Sequence, residues 1–409
     1  MTLSVAVERR ARETMRLLNV INSIDPAHGG PIEGVKQLGA ALRALGHSVE
    51  VASMDAPGSS FVPDFPLPIH ALGPPSFRNW YAYSKRFVPW LRENAGRYDV
   101  VVVNGLWGYA SFGTWRGLRG STLPYVVVPH GMLDPWFKRQ YPLKHIKKSL
   151  YWPWAEYRVL RDASAVIFTS EEERLLARQS FKKYSANERV VTFGTMRPSA
   201  DEEGQTKVYF DCFPETRGKH LVLFLGRLHP KKGCDLAIRA FARILGSSND
   251  WHLLMVGPDQ VGWKPELLAI AEEAGAAGRV TLTGMVSADV KLGAVRASEV
   301  LLLPSHQENF GLAVAEALAC GVPVLLSNKV NIWREVVADG AGFAAEDDLE
   351  GTSQLLRRWL DLGETGRVAM RKRALHCFET RFEISGTATS MIGMLESVMQ
   401  ARMEAYAQA

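Results

Sequence analysis

Cysteine is scarce: four residues in 409, Cys212, Cys234, Cys320 and Cys377, lie far apart and form no C-x-x-C pair. That argues against a disulfide framework and against a clustered-thiolate zinc site. The chain also has no apolar run near the roughly 20 residues that a membrane-spanning helix needs. Its longest, such as Val100–Val103 and Leu221–Leu225, are strand-sized. A secretory leader is not visible, because Met1–Arg16 interleaves Arg9, Arg10, Arg12 and Arg16 with Glu8 and Glu13 and has no apolar core segment. A cytoplasmic protein is expected. Repeats with a period of roughly 20–50 residues are absent, as are low-complexity tracts.

What is present is a folding chain. The hydrophobic share is 47% and the charged share 22%, with 11 Trp and 17 Phe, far from the polar, highly charged composition of disordered segments. At about 100–200 residues per domain, the length predicts two domains. The first 200 residues carry an excess of Lys and Arg, the remainder a small excess of Asp and Glu. A basic half attracts phosphates or an anionic surface.

Short, largely apolar runs recur at Leu17–Ile21, Ser48–Ala52, Val100–Val103, Tyr125–Val128, Ala165–Phe168 and Val190–Phe193. The pattern restarts at Leu221–Leu225, Trp251–Val256, Val280–Leu282, Glu299–Leu303, Val322–Leu326 and Gly342–Ala344. Continuous apolar runs suit strands buried on both faces, and their alternation with amphipathic stretches implies parallel sheets. Two doubly wound, Rossmann-like α/β domains follow, 1–200 and 215–380, with a linker near 195–218. A last amphipathic helix over 382–406, with Ile384, Met391, Met394, Leu395 and Val398 at helical spacing, needs a surface to cover. Open parallel sheets bind ligands beyond their strand carboxyl ends, so function is sought in the loops that follow strands.

Four such loops carry chemistry. Gly29-Gly30 precedes a helix, where backbone can approach a ligand closely. His130-Gly131 follows the strand Tyr125–Val128. The segment Gly226-Arg227-Leu228 to Lys232-Gly233 sets a guanidinium fork and an ammonium beside a helix start, a positive site of diphosphate size. Last, Glu308-Asn309-Phe310-Gly311-Leu312 leads into a helix whose second turn holds Glu316. No Asp-x-Asp pair stands near a strand end to hold a divalent ion, so no metal is expected.

In this order, these motifs resemble the retaining nucleotide-sugar glycosyltransferases of family 4, over about Leu17 to Tyr406. The resemblance implies the GT-B architecture: two Rossmann-like domains facing across a cleft, an acceptor domain first and a donor domain second, with the last helix crossing back to the first. It makes Arg227 and Lys232 ligands of the donor diphosphate and Glu316 the partner of the ribose hydroxyls. Glu308 holds the transferred sugar, the Asn309, Phe310, Gly311 and Leu312 amides face sugar and phosphates, Gly29 and Gly30 line the phosphate and acceptor side, and His130 lies near the reacting sugar face. Where the family often has Gly-Gly-x-Pro-Glu, this chain has Val330-Asn331-Ile332-Trp333-Arg334-Glu335. The nucleotide, UDP, GDP or ADP, stays open.

Residues 138–148 contain Lys138, Arg139, Lys144, Lys147 and Lys148 and no acid, flanked by Trp136, Phe137, Tyr151, Trp152 and Trp154. Cations among aromatics suit an anionic membrane surface, hence a lipid-linked glycan acceptor at the inner face of a plasma membrane, as in bacterial exopolysaccharide or lipopolysaccharide synthesis. A nucleic-acid ligand is not expected, since no recognised module accompanies the patch. A nucleotide-sugar epimerase of the same fold and a non-catalytic donor-binding protein are the alternative readings.

Overall fold

The computed structural model describes residues 14–26, 29–74 and 81–407. Most of the Met1–Arg16 stretch, the Ala27-His28 pair within the first glycine loop, and residues 408–409 lie outside the described residues. The chain divides into two units: residues 1–192 with 387–409, and residues 193–386.

Unit 1 holds strands β1 (Arg16–Ile21), β2 (Ser48–Ser53), β3 (Ile69–Ala71), β4 (Val100–Asn104), β5 (Tyr125–Val128), β6 (Ala165–Phe168) and β7 (Glu188–Val190). They form one seven-stranded sheet in the order β3-β2-β1-β4-β5-β6-β7, with parallel pairings throughout. Every residue of β4, β5 and β6 is buried, as strands covered on both faces must be. The short edge strand β3 has no apolar run to announce it: Pro66 and Pro68 precede it and all three of its residues are half-buried. The apolar run expected as a strand at Val190–Phe193 pairs only at its start. Its Phe193 already belongs to the second unit.

Unit 2 holds β8 (His220–Leu225), β9 (Trp251–Val256), β10 (Val280–Gly284), β11 (Val300–Leu303), β12 (Val324–Ser327) and β13 (Gly342–Ala345), in the order β10-β9-β8-β11-β12-β13, again all parallel. Its core gathers Phe224, Phe241, Trp359, Phe378 and Phe382, each fully buried, and each such side chain contributes on the order of 2–3 kcal/mol of burial.

The polar stretch expected as a linker is instead part of this unit. Helix Glu202–Cys212 forms within it, capped where the Asp201 carboxylate accepts the Gly204 N–H at 3.1 Å. It is fastened by Tyr209, fully buried, whose hydroxyl meets Thr216 Oγ1 at 2.8 Å. Few of its residues are apolar, so its periodicity is faint in the sequence.

The last helix, Ile384–Ala407, belongs from Thr387 onward to unit 1. Ala388, Met391, Ile392, Leu395 and Val398 are its buried stripe, and Thr387 Oγ1 donates to the Thr192 carbonyl at 2.9 Å. In both sheets the strand order reverses once, at β1/β4 and at β8/β11, the topological switch points where doubly wound sheets take ligands.

Candidate functional site

In unit 2 the switch point is built by two loops, one after β8 and one after β11. Lys231 O accepts the His306 N–H at 2.8 Å and so ties the loops together. Gly233, at φ 66°, sits so close to them that a Cβ there would stand 2.3 Å from the Pro304 carbonyl oxygen, which explains a glycine at the start of helix Cys234–Leu245. This places Lys232 against Glu308, whose carboxylate accepts directly from the ammonium. Burial, with the neighbouring charges of Lys231 and Arg227, pushes the Lys232 pKa down to about 7. The touching Glu308 carboxylate acts in the opposite sense and holds the ammonium charged.

Glu308 is held from behind by the segment that departs from the family pattern. Glu308 N donates to Lys329 O at 3.0 Å and Asn331 N donates to Glu308 O at 3.0 Å, a short parallel bridge to Val330. Val330 and Ile332 are fully buried beneath it. The backbone of Lys329 and Asn331 therefore seats Glu308, and the buried Val330 and Ile332 side chains anchor that segment in the core.

Gly311 caps helix Leu312–Ala319, while the Phe310 ring turns inward onto Phe382, 5.9 Å between centroids. Glu316, in that helix, accepts from Lys291 Nζ at 2.7 Å. Lys291 belongs to helix Ala288–Arg296 and nothing in the sequence singled it out. Arg227 is exposed beside Gln260, with Nη1 donating to Oε1 at 2.8 Å. The structure thus brings Lys232 to Glu308, and gives Glu316 and Arg227 partners of their own.

In unit 1, Gly29 (φ 79°) caps helix Gly30–Ala44, and a Cβ on Gly29 or Gly30 would meet nothing within 4 Å, so open space lies in front of this backbone. His130 stands just past β5 with φ 50°. Its Nε2 lies 3.0 Å from Asn104 Oδ1. The Asn104 amide nitrogen donates to Asn19 Oδ1 at 3.1 Å and to the Val102 carbonyl at 3.3 Å. Because that carbonyl only accepts, the amide orientation is fixed, and His130 Nε2 must carry the proton. Burial pushes the His130 pKa down to about 4, so the ring is neutral at pH 7.

The following residue is fixed too: Gly131 N donates to Glu173 Oε1 at 2.5 Å, and Glu173 Oε2 accepts from Thr169 N and Oγ1 at 2.7 and 2.8 Å. Asn19 and Asn104 were missed in the sequence, although a polar residue in or at the end of an apolar strand is a signal that could have found them. Glu173, within a run of three glutamates, carried no such signal.

A cavity of about 590 Å³ opens over the carboxyl ends of β1, β2 and β4, inside the size range of small-ligand sites. Asn22, Asp55, Asn104, Trp107, Phe137 and Lys148 are among its lining residues. On the surface nearby, the expected basic and aromatic patch is rearranged. Trp152 is buried, the Tyr151 hydroxyl pairs with Tyr81 at 2.5 Å, and Phe137 lines the cavity. The outward apolar groups are Leu143, Ile146, Leu150 and Trp154, between 57% and 77% exposed. No helix among the described residues is long and apolar enough to cross a membrane.

Two Rossmann-like units, the second with a cation and a carboxylate facing each other at its switch point, define the architecture of nucleotide-diphosphate-binding α/β proteins. A family model for the glycosyl transferase 4-like domain matches residues 29–194, and one for glycosyl transferases group 1 matches 210–375. The chain belongs to glycosyltransferase family 4, with the GT-B fold.

Among characterised relatives, a D-inositol 3-phosphate glycosyltransferase from Acidothermus cellulolyticus is 32% identical over 46% of this chain and 43% of its own length, so the chain matches less than half of it. A GDP-mannose-dependent alpha-(1-6)-phosphatidylinositol dimannoside mannosyltransferase from Mycobacterium tuberculosis is 25% identical over 89% of this chain and 92% of its own. Among solved structures, Anabaena HepE in complex with UDP and glucose superposes with a TM-score of 0.73 at 18% identity, covering 94% of this chain and all of that one, a likeness of fold.

Proposed function

We propose that the protein is a retaining, metal-independent hexosyltransferase that moves a sugar from a UDP- or GDP-sugar to a lipid-linked glycan acceptor in bacterial surface polysaccharide synthesis, working peripherally at the inner face of the membrane. The observation that carries this reading is the Lys232–Glu308 contact at the β8/β11 switch point. Donor binding exchanges partners there: the diphosphate takes Lys232 and Arg227, and the sugar hydroxyls take Glu308. Glu316 takes the ribose, and the Asn309–Leu312 amides add donors to sugar and phosphate. The relative that uses GDP-mannose and the neighbour that holds UDP support the two nucleotide choices.

In the reaction the bond between the sugar's anomeric carbon and the diphosphate oxygen breaks, and a bond from the acceptor hydroxyl oxygen forms on the same face. The acceptor proton passes to the departing phosphate oxygen. The transition state resembles an oxocarbenium ion, so cations fixed at the leaving diphosphate lower the barrier as negative charge develops. His130, neutral with its proton fixed on Nε2, contributes hydrogen bonding and no charge. The exposed Leu143, Ile146 and Leu150 among Lys144 and Lys147 support membrane contact.

Thermal-shift titration with UDP, GDP, ADP and their sugar conjugates, in EDTA and again with magnesium, tests the donor site. A selective shift in EDTA is expected. Donor incubated alone is expected to hydrolyse slowly or stay intact, whereas an epimerised donor overturns the transferase reading.

A further inference from the structure

Lys148 is the one cation among the cavity's described lining residues. Its ammonium lies 4.3 Å from the centroid of the Trp107 ring and 5.9 Å from that of Phe137. Among the described residues no carboxylate stands within ion-pair distance of it. Asp55, the acid among the cavity's lining residues, is engaged elsewhere: it accepts from Ser23 Oγ at 2.6 Å and from the Ile24 N–H at 2.8 Å. Glu156 lies behind the wall, fully buried, accepting from Trp107 N at 2.7 Å and Ser111 Oγ at 3.0 Å. A half-buried ammonium whose N–H groups find only ring faces has lost water without gaining an acceptor, and a ligand anion restores one.

Trp107 is built as the platform for that ligand. It is one of the few non-glycine residues with positive φ, at 69°, a conformation that persists only where its surroundings impose it. The restraints are visible: its amide is held by Glu156, and its indole Nε1 donates to the Met132 carbonyl at 3.2 Å. A flat ring fixed at both ends, with a cation over it and Asn22, Ser23 and Asn104 around the same cavity, suits a hydroxyl-bearing ring with a negative group attached.

We propose that Lys148, over Trp107 and beside Phe137, anchors a phosphate ester carried by the acceptor next to its sugar or polyol ring. This rests on reading unit 1 as the acceptor domain. A soluble sugar phosphate and a lipid-borne phosphate share this chemistry. Helix Pro142–Tyr151 bears on both, since it turns Lys148 into the cavity and Leu143, Ile146 and Leu150 outward.

The test measures binding of glycerol 1-phosphate and of glycerol by calorimetry to the full chain, to Lys148→Met and to Lys148→Arg, and repeats it with short-chain phosphatidic acid. The expected result is measurable binding of the phosphate and not of glycerol, a loss of roughly tenfold or more in Lys148→Met, and retention in Lys148→Arg. Burial, with a smaller push from Lys144 and against the pull of the buried Glu156 carboxylate, brings the Lys148 pKa down to about 8, so wild-type affinity should fall as pH rises through 8 while that of the arginine variant holds. Tighter binding of the lipid phosphate marks a lipid-borne acceptor, and equal binding marks a soluble one. Equal affinity of wild type and Lys148→Met, or of phosphate and glycerol, overturns the proposal. Sugar transfer by the wild type from UDP- or GDP-sugars is assayed separately, so its absence sinks the transferase reading without touching the phosphate result.

Discussion

In unit 2, the charged groups that mark the switch point have partners within the chain: Lys232 with Glu308, Lys291 with Glu316, Arg227 with Gln260. In unit 1, on the same strand order, the groups around the cavity are a carboxylate already bonded, an asparagine that pairs with a neutral imidazole, an aromatic pair and one cation with no carboxylate in ion-pair contact among the described residues. The difference separates two ways of preparing a site. A charged donor can be received by exchanging one ion partner for another, which avoids leaving a buried charge bare at any stage. A ligand with one charge and several hydroxyls is better served by a preformed, mostly apolar pocket with few fixed polar points.

The sharpest way to break this comparison is at Glu308. Glu308→Ala is expected to lower kcat by a factor of about 100 to 1,000, the scale for a fixed group that acts on the transition state, while UDP or GDP still raises the melting temperature. Steady-state kinetics beside thermal shift reads both. Loss of nucleotide binding together with turnover would show that Glu308 serves the fold of the β8/β11 loops and that the pair is structural.

Titration sharpens the other side, because unit 1 holds two buried groups of opposite slope. Burial raises the Glu156 pKa from 4.5 to about 7, against the bonds from Trp107 and Ser111 and the Lys148 charge. Its contribution to stability is complete below pH 4.5 and is lost as pH rises through 7, ~3 kcal/mol at most. His130, lowered from 6.5 to about 4, contributes stability that is complete above 6.5 and lost as pH falls through 4. Glu156→Gln should therefore unfold later than wild type at pH 8 and alike at pH 4, by differential scanning calorimetry. A variant that gains nothing at pH 8 would mean that the carboxylate is stably ionised in the folded state.

The outward face of helix Pro142–Tyr151 gives a smaller effect. Replacing Leu143, Ile146 and Leu150 with Ser is expected to cut co-sedimentation with phosphatidylglycerol vesicles about tenfold or more, given the 1.5–3 kcal/mol that a fully buried aliphatic side chain contributes, with donor turnover in solution preserved. Vesicle binding unchanged by the triple variant would shift the contact to another surface.

Much of this was legible in the chain. The apolar runs Val100–Val103, Tyr125–Val128 and Ala165–Phe168, and Trp251–Val256 with its single His252, all became interior strands, because burial on both faces leaves little room for polar alternation. Lys232 and Glu308 were legible because each follows such a run. What escaped notice depends on neighbours distant in sequence. The Pro-flanked edge strand β3 has no periodicity to show. Lys291 matters only because it meets Glu316, and Glu173 only because its carboxylate reaches Gly131. The aromatics beside the basic stretch fitted either a membrane-facing patch or a solvated helix with its rings packed inward, and the sequence does not choose between them. Trp152 stacks on Phe181, 4.1 Å between centroids, while the aliphatic Leu143, Ile146 and Leu150 point outward beside Trp154; a large ring gains from core contact where the fold offers it.

Lys291 offers the finest cut. The pair with Glu316 is partly exposed, 33% on the lysine side and 16% on the glutamate side, so its worth is at most about 1 kcal/mol. If it serves to hold Glu316 in the orientation that the ribose hydroxyls need, Lys291→Met loosens that carboxylate without removing it. The donor KM should rise by a factor of about two to five, with the loss in KM and not in kcat, and Glu316→Ala should cost more than Lys291→Met. A double variant should cost no more than Glu316→Ala alone, because the lysine then has nothing to orient. Additive losses would instead give Lys291 a donor contact of its own, and unit 2 would then hold a cation that meets its ligand directly, the role proposed for Lys148 in unit 1.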